Sequence, residues 1–313
     1  MRVVFLGNDP WSVPALEALA SAPDVDVELA ITNPPRPAGR GARLTPTAVA
    51  EAARRRGLEI AEVDGIDGET LALIERARPD AIAVVAYGAI LTRQVLEVPP
   101  LGTVNLHFSL LPRWRGAAPV QRAILEGDEI AGVSVMLVDE GLDTGPILAS
   151  LPEPISPDDD AGSLGERLAV LGAPLLLEAL RDLRSGAAAP VAQEDAAATN
   201  AAKLRPEERT IDWADAAGSI VRRVRAFAPA PGATTTFRDA PFKVLRAAAR
   251  WEGREQGPAD ALGEVQVDDD GVPVVTAGDG GVALLEVAPA GRARMPGADW
   301  ARGARLEPGE RCA

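Results

Sequence analysis

Short apolar runs alternate with amphipathic stretches along the N-terminal part of the chain. Strand-like runs are found at residues 3–6, 27–31, 81–85, 104–106 and 133–138. Stretches rich in Ala, Leu and Glu with helical spacing lie between them, at residues 13–20, 47–56, 68–77 and 118–125. Such alternation predicts an α/β fold, in which a doubly wound, mostly parallel sheet carries helices on both faces. A longer amphipathic stretch at 164–184 predicts a helix that closes this domain and bends near Pro174.

The pattern changes beyond this helix. Residues 185–212 mix Pro, Gly and short alanine runs with polar residues, which is typical of a connector. A helix with one apolar face is expected to open at Asp212 and Trp213. Short strand-like runs separated by Gly and Asp turns follow at 234–237, 242–247, 263–267, 272–276 and 282–287. Five such runs in this length predict a small β-barrel of the oligonucleotide-binding kind.

Length and composition agree with a globular protein of two domains. The chain has 313 residues, of which 47% are hydrophobic and 25% are charged, so each domain can bury an apolar core. We place the first domain at residues 1–186, a connector at 187–206 and the β-barrel domain at 207–313.

Three features predict a cytoplasmic protein that does not cross a membrane. No stretch of about 18 residues is continuously apolar, so no transmembrane helix is expected. The N-terminal apolar run is too short for a signal peptide and predicts a strand instead. The single cysteine, Cys312, has no partner in the chain with which to form a disulfide. We expect the protein to be a monomer.

Neither the charge nor the first turn points to a particular ligand. The net charge of −14 at pH 7 does not exclude a nucleic-acid partner, because repulsion is screened beyond about 8–10 Å at physiological salt. An acidic protein can therefore bind RNA through one basic surface. The turn after the first strand, Gly7-Asn8-Asp9-Pro10, has one glycine where a dinucleotide-binding loop has three. We therefore expect no nicotinamide cofactor.

The only histidine of the chain is His107, two residues after Asn105. Side chains alternate along a strand, so both are expected on one side of the strand, at its carboxyl end. Ligands bind at this edge of open parallel sheets. An asparagine amide can stabilise a developing oxyanion, and a histidine can act as base and then as acid. A core histidine capped by a neighbouring amide is an equally open interpretation of this pair alone.

A third candidate is Asp143, in the loop 139–145 that follows a predicted buried strand. Asp and Gly form turns readily, so this loop alone is more often structural than functional. Together with Asn105 and His107, a functional role of Asp143 is favoured instead, because a carboxylate next to an imidazole fixes its tautomer and stabilises the imidazolium. The sequence contains no cluster of Cys and His that could bind a metal ion.

Two segments carry a resemblance to a known family. Residues 105–112 read Asn-Leu-His-Phe-Ser-Leu-Leu-Pro, and residues 139–145 read Asp-Glu-Gly-Leu-Asp-Thr-Gly. They resemble the signature of the folate-dependent formyltransferases, which have a small residue where this chain has Phe108. The resemblance implies that the catalytic residues are Asn105, His107 and Asp143. It implies that the folate-binding residues are Ser109, Leu110, Leu111, Pro112, Asp139, Gly141 and Asp143.

A further likeness concerns the arginine-rich segment 36–43, Arg-Pro-Ala-Gly-Arg-Gly-Ala-Arg. Its prolines and glycines predict a loop without regular structure, and by pattern alone a solvated loop is the commoner case. The segment is nevertheless similar to the loop with which the tRNA-dependent members of this family contact the acceptor end. The resemblance, which extends more weakly into the second domain, implies a set of tRNA-binding residues: Arg36, Arg40, Arg43, Lys203, Arg222 and Arg223.

The resemblance implies transfer of the formyl group of 10-formyltetrahydrofolate, without a metal ion, to the amino group of methionyl-tRNA. The first domain would then be catalytic and the barrel would bind tRNA. A formyl-folate hydrolase and a sugar-nucleotide formyltransferase share the three catalytic residues and are alternatives. A glycinamide-ribonucleotide formyltransferase would end soon after residue 205. A tRNA-binding module without catalysis is disfavoured, because Asn105, His107 and Asp143 are all present.

Overall fold

A computed structural model describes residues 1–38, 41–250 and 261–313 of the chain. They form two compact units. The first unit consists of Met1–Pro119, Ile130–Pro154 and Gly165–Ala202. The second unit consists of Val120–Glu129, Ile155–Leu164 and Lys203–Ala313. Each unit therefore combines segments that are separated in the sequence.

The strands of the first unit are β1 (Arg2–Gly7), β2 (Asp26–Thr32), β3 (Arg36–Ala38), β4 (Arg43–Thr45), β5 (Ile60–Glu62), β6 (Ala81–Val85), β7 (Thr103–His107), β8 (Ile130–Leu137) and β9 (Ile147–Pro154). Seven of them form one sheet in the order β5-β2-β1-β6-β7-β8-β9. Neighbours are parallel from β5 to β7, whereas β8 and β9 are antiparallel. The predicted α/β fold with a mostly parallel sheet is confirmed.

The sequence pattern did not predict β9. Its sequence, Ile-Leu-Ala-Ser-Leu-Pro-Glu-Pro, contains Pro152 and Pro154 and lacks a clear alternation of buried residues. Proline removes a ladder hydrogen bond and therefore argues against a central strand, but an edge strand tolerates it. Because β9 is the last strand of the sheet, its prolines are compatible with this position.

The helices up to residue 185 are α1 (Val13–Ser21), α2 (Ala48–Arg56), α3 (Gly68–Ala77), α4 (Arg93–Leu96), α5 (Pro119–Glu126) and α6 (Ala161–Ser185). Clear caps explain why the predicted bounds of α2 agree with the structure. The Thr47 hydroxyl accepts the N–H of Ala50 over 3.0 Å, and the helix ends at Gly57 with φ at 68°. The helix α6 continues through Pro174.

The core of the first unit surrounds its central strands. Val3, Val4, Phe5 and Leu6 in β1 are completely buried, as are Ala81 to Ala83 in β6. A parallel strand covered on both faces is apolar throughout, which is why these strands were readily predicted. The connections reverse direction between β1 and β6, and the carboxyl ends of β6 and β7 lie side by side. His107 is the last residue of β7 and lies at this edge.

The arginine-rich segment contains regular structure, which corrects the prediction of an irregular loop. β3 and β4 pair as an antiparallel hairpin, with Arg36 opposite Thr45 and Pro37 opposite Leu44. A two-stranded ribbon has a free edge on each strand, so a proline whose nitrogen faces that edge costs no ladder hydrogen bond. The residues of β4 are all exposed, so this strand shows no alternation of buried and exposed positions.

The second unit contains a six-stranded antiparallel sheet formed by β10 (Ala233–Phe237), β11 (Ala240–Arg250), β12 (Val265–Val267), β13 (Pro273–Ala277), β14 (Gly280–Pro289) and β15 (Met295–Pro296). Five strands follow the order β10-β11-β14-β13-β12. The segment 310–313 pairs with both ends of this row. The N–H of Thr236 donates to the carbonyl of Ala313 over 2.8 Å, and the N–H of Cys312 donates to the carbonyl of Gly263 over 2.8 Å. The sheet thereby closes into a small barrel.

The helices α7 (Ala217–Phe227) and α8 (Gly297–Ala304) belong to this unit, as does almost all of α5. The predicted start of α7 at Asp212 and Trp213 is wrong. Asp212 instead accepts the N–H of Ala214 in a turn, and the buried indole of Trp213 donates to Thr235 over 3.0 Å. The first N–H of the helix donates to the Asp279 carboxylate over 2.7 Å. This cap is distant in sequence, so no local pattern reveals it.

None of the helices in the described parts of the chain combines the length and apolar character that a membrane-spanning helix requires.

Candidate active site

Asn105 and His107 project from the end of β7, as their alternation in the strand predicts. In the sheet, Asn105 lies between Val84 of β6 and Met136 of β8, and His107 lies opposite Ser134. The side chain of His107 is only 6% exposed. The local sequence thus places an amide and an imidazole together at the carboxyl edge of the parallel strands.

The imidazole of His107 has one nitrogen committed to the backbone. Nε2 lies 2.8 Å from the carbonyl oxygen of Trp114. A carbonyl can only accept, so Nε2 must carry a hydrogen. In the neutral ring Nδ1 is then unprotonated, and this atom lies 3.6 Å from Oδ2 of Asp143. Nδ1 is therefore the ring nitrogen that faces the Asp143 carboxylate.

The carboxylate of Asp143 connects three parts of the site. Its Oδ2 accepts the backbone N–H of Gly116 over 2.9 Å, and its Oδ1 lies 3.4 Å from Nδ2 of Asn105. Asp143 itself has a left-handed backbone, with φ at 53°, which is uncommon for a residue with a side chain. The structure therefore brings Asn105, His107 and Asp143 into one cluster.

The turn after His107 is held by buried hydroxyl groups. The Ser109 hydroxyl donates to the carbonyl of Arg113 over 2.6 Å. Ser134 donates to the carbonyl of Ser109 over 2.8 Å and accepts the N–H of Leu111 over 3.1 Å. Leu110 lies against Gly132, where a Cβ would come within 2.5 Å of its Cδ2. The peptide bond between Leu111 and Pro112 is cis.

Asp139 and Gly141, which the resemblance implies as folate-binding, shape the loop that carries Asp143. The Asp139 carboxylate accepts the N–H of Gly141 over 3.0 Å and the hydroxyl of Thr144 over 2.6 Å. A Cβ at Gly141 would lie 2.0 Å from that hydroxyl oxygen, so only glycine fits there in this conformation. Both residues are exposed, and their role toward folate stays a prediction.

Phe108, the departure from the family pattern, is buried and packs against Trp11. The two ring centroids are 5.6 Å apart and the rings are tilted by 54°. Trp11 in turn lies on Gly165, where a Cβ would come within 2.0 Å of the indole. The large side chain at position 108 is accommodated because Gly165 leaves room for its aromatic partner.

The sequence reasoning missed the contribution of the segment after α6. The backbone N–H of Trp114 donates to the Thr199 hydroxyl over 2.8 Å, and the N–H of Arg115 donates to the carbonyl of Thr199 over 2.9 Å. Gln193 contacts both Arg115 and the backbone of Asp143. The composition of this segment predicts only a connector. Its one further sequence signal is that residues 199–203, Thr-Asn-Ala-Ala-Lys, are similar to a segment of the formyltransferase family.

The residues predicted to bind tRNA occur in several places. Arg36 and Arg43 are exposed on the hairpin β3–β4, and Arg36 lies 3.9 Å from Asp64. Arg40 lies outside the described residues. Lys203 is exposed. These arginines and Lys203 are compatible with contacts to a phosphate backbone.

Arg222 and Arg223 on α7 are half-buried and make contacts within the second unit. Arg222 donates to the carbonyl of Leu125 over 3.1 Å and to the hydroxyl of Ser219 over 3.0 Å. Arg223 forms an ion pair with Asp215 over 2.8 Å. Binding of a phosphate to either guanidinium would therefore compete with an existing intramolecular contact.

In the parts of the chain that the structure describes, no three His, Cys, Asp or Glu side chains are grouped so as to hold a metal ion.

Two known protein families match parts of the chain. Residues 1–180 match the family described as formyl transferase, and residues 203–305 match the formyl transferase C-terminal domain. A methionyl-tRNA formyltransferase from Halorhodospira halophila is 47% identical over 309 residues, covering 99% of this chain and 98% of the relative. One from Streptomyces griseus is 42% identical over 311 residues, covering 99% of both chains.

Two solved structures share the fold. HypX from Aquifex aeolicus, in complex with tetrahydrofolic acid, superposes with a TM-score of 0.65 at 20% identity and covers 96% of this chain. This chain spans about half of HypX, 47% of its length. The sugar 3N-formyl transferase WlaRD superposes with a TM-score of 0.65 at 14% identity, covering 94% of this chain and 99% of WlaRD. At these identities the likeness concerns the fold alone.

Proposed function

The chain belongs to the formyl transferase family, and on this basis we propose that it acts as a methionyl-tRNA formyltransferase. It transfers the formyl group of 10-formyltetrahydrofolate to the amino group of methionyl-tRNA. The observation that carries this proposal is similarity over nearly the full length, since relatives of this name are 41% to 47% identical and match 97% to 99% of the chain. Folate is a cosubstrate in this reaction and leaves it without its formyl group.

The geometry of the cluster supports acyl transfer. The amine of the aminoacyl ester forms a bond to the formyl carbon, and the electron pair of the carbonyl bond moves to its oxygen. Asn105 donates to this oxyanion, because its amide has two hydrogens and only one is directed to Asp143, over 3.4 Å. His107 and Asp143 then move the proton from the amine to the folate nitrogen as the bond between that nitrogen and the formyl carbon breaks.

The folate molecule would be held at the same edge of the sheet. Its binding residues in this proposal are those of the turn after His107, Ser109 to Pro112, together with the loop of Asp139, Gly141 and Asp143. The two segments meet in the structure through the Gly116 N–H, which follows the turn and donates to Asp143. A ligand bound between them would therefore lie beside the nitrogen Nδ1 of His107.

The tRNA would be bound by the exposed arginines of the hairpin and by basic residues of the second domain. We propose that residues 1–186 are catalytic, that 187–206 connect the domains, and that 207–313 bind tRNA together with the hairpin. Arg36, Arg40 and Arg43 would contact the acceptor end. Lys203, Arg222 and Arg223 would contact the backbone elsewhere, and the existing contacts of Arg222 and Arg223 make them weaker contributors.

The test is formation of formylmethionyl-tRNA from 10-formyltetrahydrofolate and methionyl-tRNA by the purified protein. A parallel reaction without tRNA measures the release of formate, and a third reaction replaces tRNA with an amino sugar nucleotide. The proposal requires product only in the first reaction. Formate release that is independent of tRNA would identify a hydrolase, and formylation of the sugar would identify the other alternative.

A further inference from the structure

Gln193 is a half-buried residue in an otherwise exposed part of the connector. Its amide nitrogen Nε2 donates to the carbonyl of Asp143 over 2.9 Å and to the carbonyl of Gly145 over 2.7 Å. Its oxygen Oε1 accepts Nε of Arg115 over 3.0 Å. Carbonyls only accept and a guanidinium only donates, so the chemistry of the partners fixes the orientation of this amide.

The backbone that Gln193 holds has little freedom of its own. Asp143 is in the left-handed region, with φ at 53°, a conformation that costs a residue with a side chain about 1 kcal/mol or more. At Gly145 the chain passes so close to β8 that a Cβ would lie 1.9 Å from the carbonyl oxygen of Leu137. The two bonds from Gln193 lie on either side of Thr144, so they fix the end of the loop next to the carboxylate.

The oxygen of the Gln193 amide contacts Arg115, the residue next to a second partner of the Asp143 carboxylate. Gly116, whose N–H donates to Oδ2 of Asp143 over 2.9 Å, directly follows Arg115. Gln193 therefore contacts the backbone that carries the Asp143 carboxylate and also the side chain next to the N–H that binds it. The contacts form a closed ring through Gln193, Asp143, Gly116 and Arg115.

We infer that Gln193 is a positioning residue for the reaction: it keeps the Asp143 carboxylate in register with Nδ1 of His107. This inference rests on the proposed function, since it assigns Gln193 a part in formyl transfer. It also means that the connector is part of the active site. A displacement of about 1 Å in a reacting group can lower a rate by about 100-fold, so loosening this loop should be visible in kcat.

Two variants separate this role from a general loss of packing. Gln193→Ala removes these three hydrogen bonds and the longer contact of Nε2 with Sδ of Met136 at 3.9 Å. Gln193→Glu keeps the length of the side chain and the acceptor for Arg115, but directs a carboxylate at two carbonyls. Both variants should lower kcat by about 10- to 100-fold while KM for methionyl-tRNA changes by less than about two-fold. Folding should be retained, because Gln193 is itself half-buried and lies outside the apolar core.

The matched control is Glu194→Ala. Glu194 is the exposed neighbour in the chain. Its side chain makes no hydrogen bond or ion pair with the described residues, so kcat should not change. The effect of Gln193→Ala should also disappear in an Asp143→Asn background, because a residue that acts through Asp143 has no effect once that carboxylate is gone. An equal loss in both backgrounds would overturn the inference, as would a normal kcat in Gln193→Ala.

A spectroscopic measurement does not depend on residual activity. His107 is the single histidine of the chain, so the ¹⁵N signals of its imidazole can be assigned without ambiguity. Moving the carboxylate away from Nδ1 should change these signals in both Gln193 variants, but not in Glu194→Ala. Unchanged signals would contradict the inference. Failure of the proposed function is distinguishable, because the unmodified protein would then form no formylmethionyl-tRNA.

Discussion

The backbone N–H of Gly116 donates to the carboxylate of Asp143 over 2.9 Å, although 27 positions separate the two residues. The same carboxylate oxygen, Oδ2, lies 3.6 Å from Nδ1 of His107. It also depends on a backbone that only glycine adopts freely, since Gly116 has φ at 123°.

Gly116→Ala should therefore lower both stability and activity. The new Cβ would come within 2.8 Å of the carbonyl oxygen of Ala201, in addition to the strain of the positive φ, for a total of about 1–3 kcal/mol. Gly186→Ala is the matched control, because its φ is 75° and nothing lies within 4 Å of the new Cβ. Urea denaturation and kcat should show a larger effect at position 116. Equal destabilisation of the two variants would mean that the contact with Ala201 is unimportant.

His107→Ala should remove most of the formyl transfer. No second histidine can substitute for it, and loss of an acid–base group typically costs ~10²–10⁴-fold in rate. Single-turnover formation of formylmethionyl-tRNA measures this loss, and circular dichroism and tRNA binding should remain close to normal. A variant with near-normal turnover would exclude His107 from proton transfer.

Asn105→Ala should slow the same reaction for a different reason, because it removes a donor to the oxyanion. Removing an oxyanion donor costs ~10²–10³-fold in kcat, with little change in KM. The isosteric variant Asn105→Asp is the sharper comparison, because it also loses the donor but places a second carboxylate beside Asp143. It should be at least as impaired as Asn105→Ala. If Asn105→Asp were more active, the amide would not act as a donor.

Arg43→Ala should weaken tRNA binding without affecting folate binding. Arg43 is exposed on β4, so a contact to phosphate would release a counterion and add slightly under one unit to the salt slope. The slope of log K against log salt should therefore become shallower by that amount. Arg184→Ala is a control from the same unit, since Arg184 is paired with Asp24 over 2.9 Å. A similar change of slope in both variants would argue against a specific contact by the hairpin.

The stability of the second unit should depend on pH through Glu208. Two hydrogen bonds from Arg122, of 2.6 and 3.2 Å, lower the pKa of the Glu208 carboxyl to about 2. Because the pKa is lower in the folded state than its ordinary value of 4.5, this contribution is complete above about pH 4.5 and is lost as pH falls toward 2. The pair is partly solvated, so about 1 kcal/mol or less is expected.

Glu208→Gln tests this assignment. The difference in the free energy of unfolding between the original chain and this variant should be largest at pH 7 and should shrink between pH 4.5 and 2. Urea denaturation at several pH values measures it, with Glu207→Gln as the exposed neighbouring control. A difference that is independent of pH would assign the stabilisation to shape rather than charge.

The sequence predicted the parts of the structure that depend on local pattern. The central strands are apolar because both faces are buried, and Asn105 and His107 share one side because strands alternate. Contacts between distant segments could not be predicted in this way. The carboxylate of Asp279 caps the first turn of α7 although 62 positions separate it from Ala217. Gln193 contacts Asp143 from a segment whose composition predicts only a connector. Recognising such pairs requires the tertiary structure.

The segment 310–313 has a consequence for how this protein behaves in concentrated solution. A sheet that stays open presents rows of unpaired N–H and C=O groups on which another chain can add a strand. Here Cys312 and Ala313 occupy such groups on both outer strands, at Gly263 and at Thr236. A chain shortened by these few residues would leave the edges of two strands unpaired and exposed. We expect it to self-associate, while the candidate active site in the first unit stays intact.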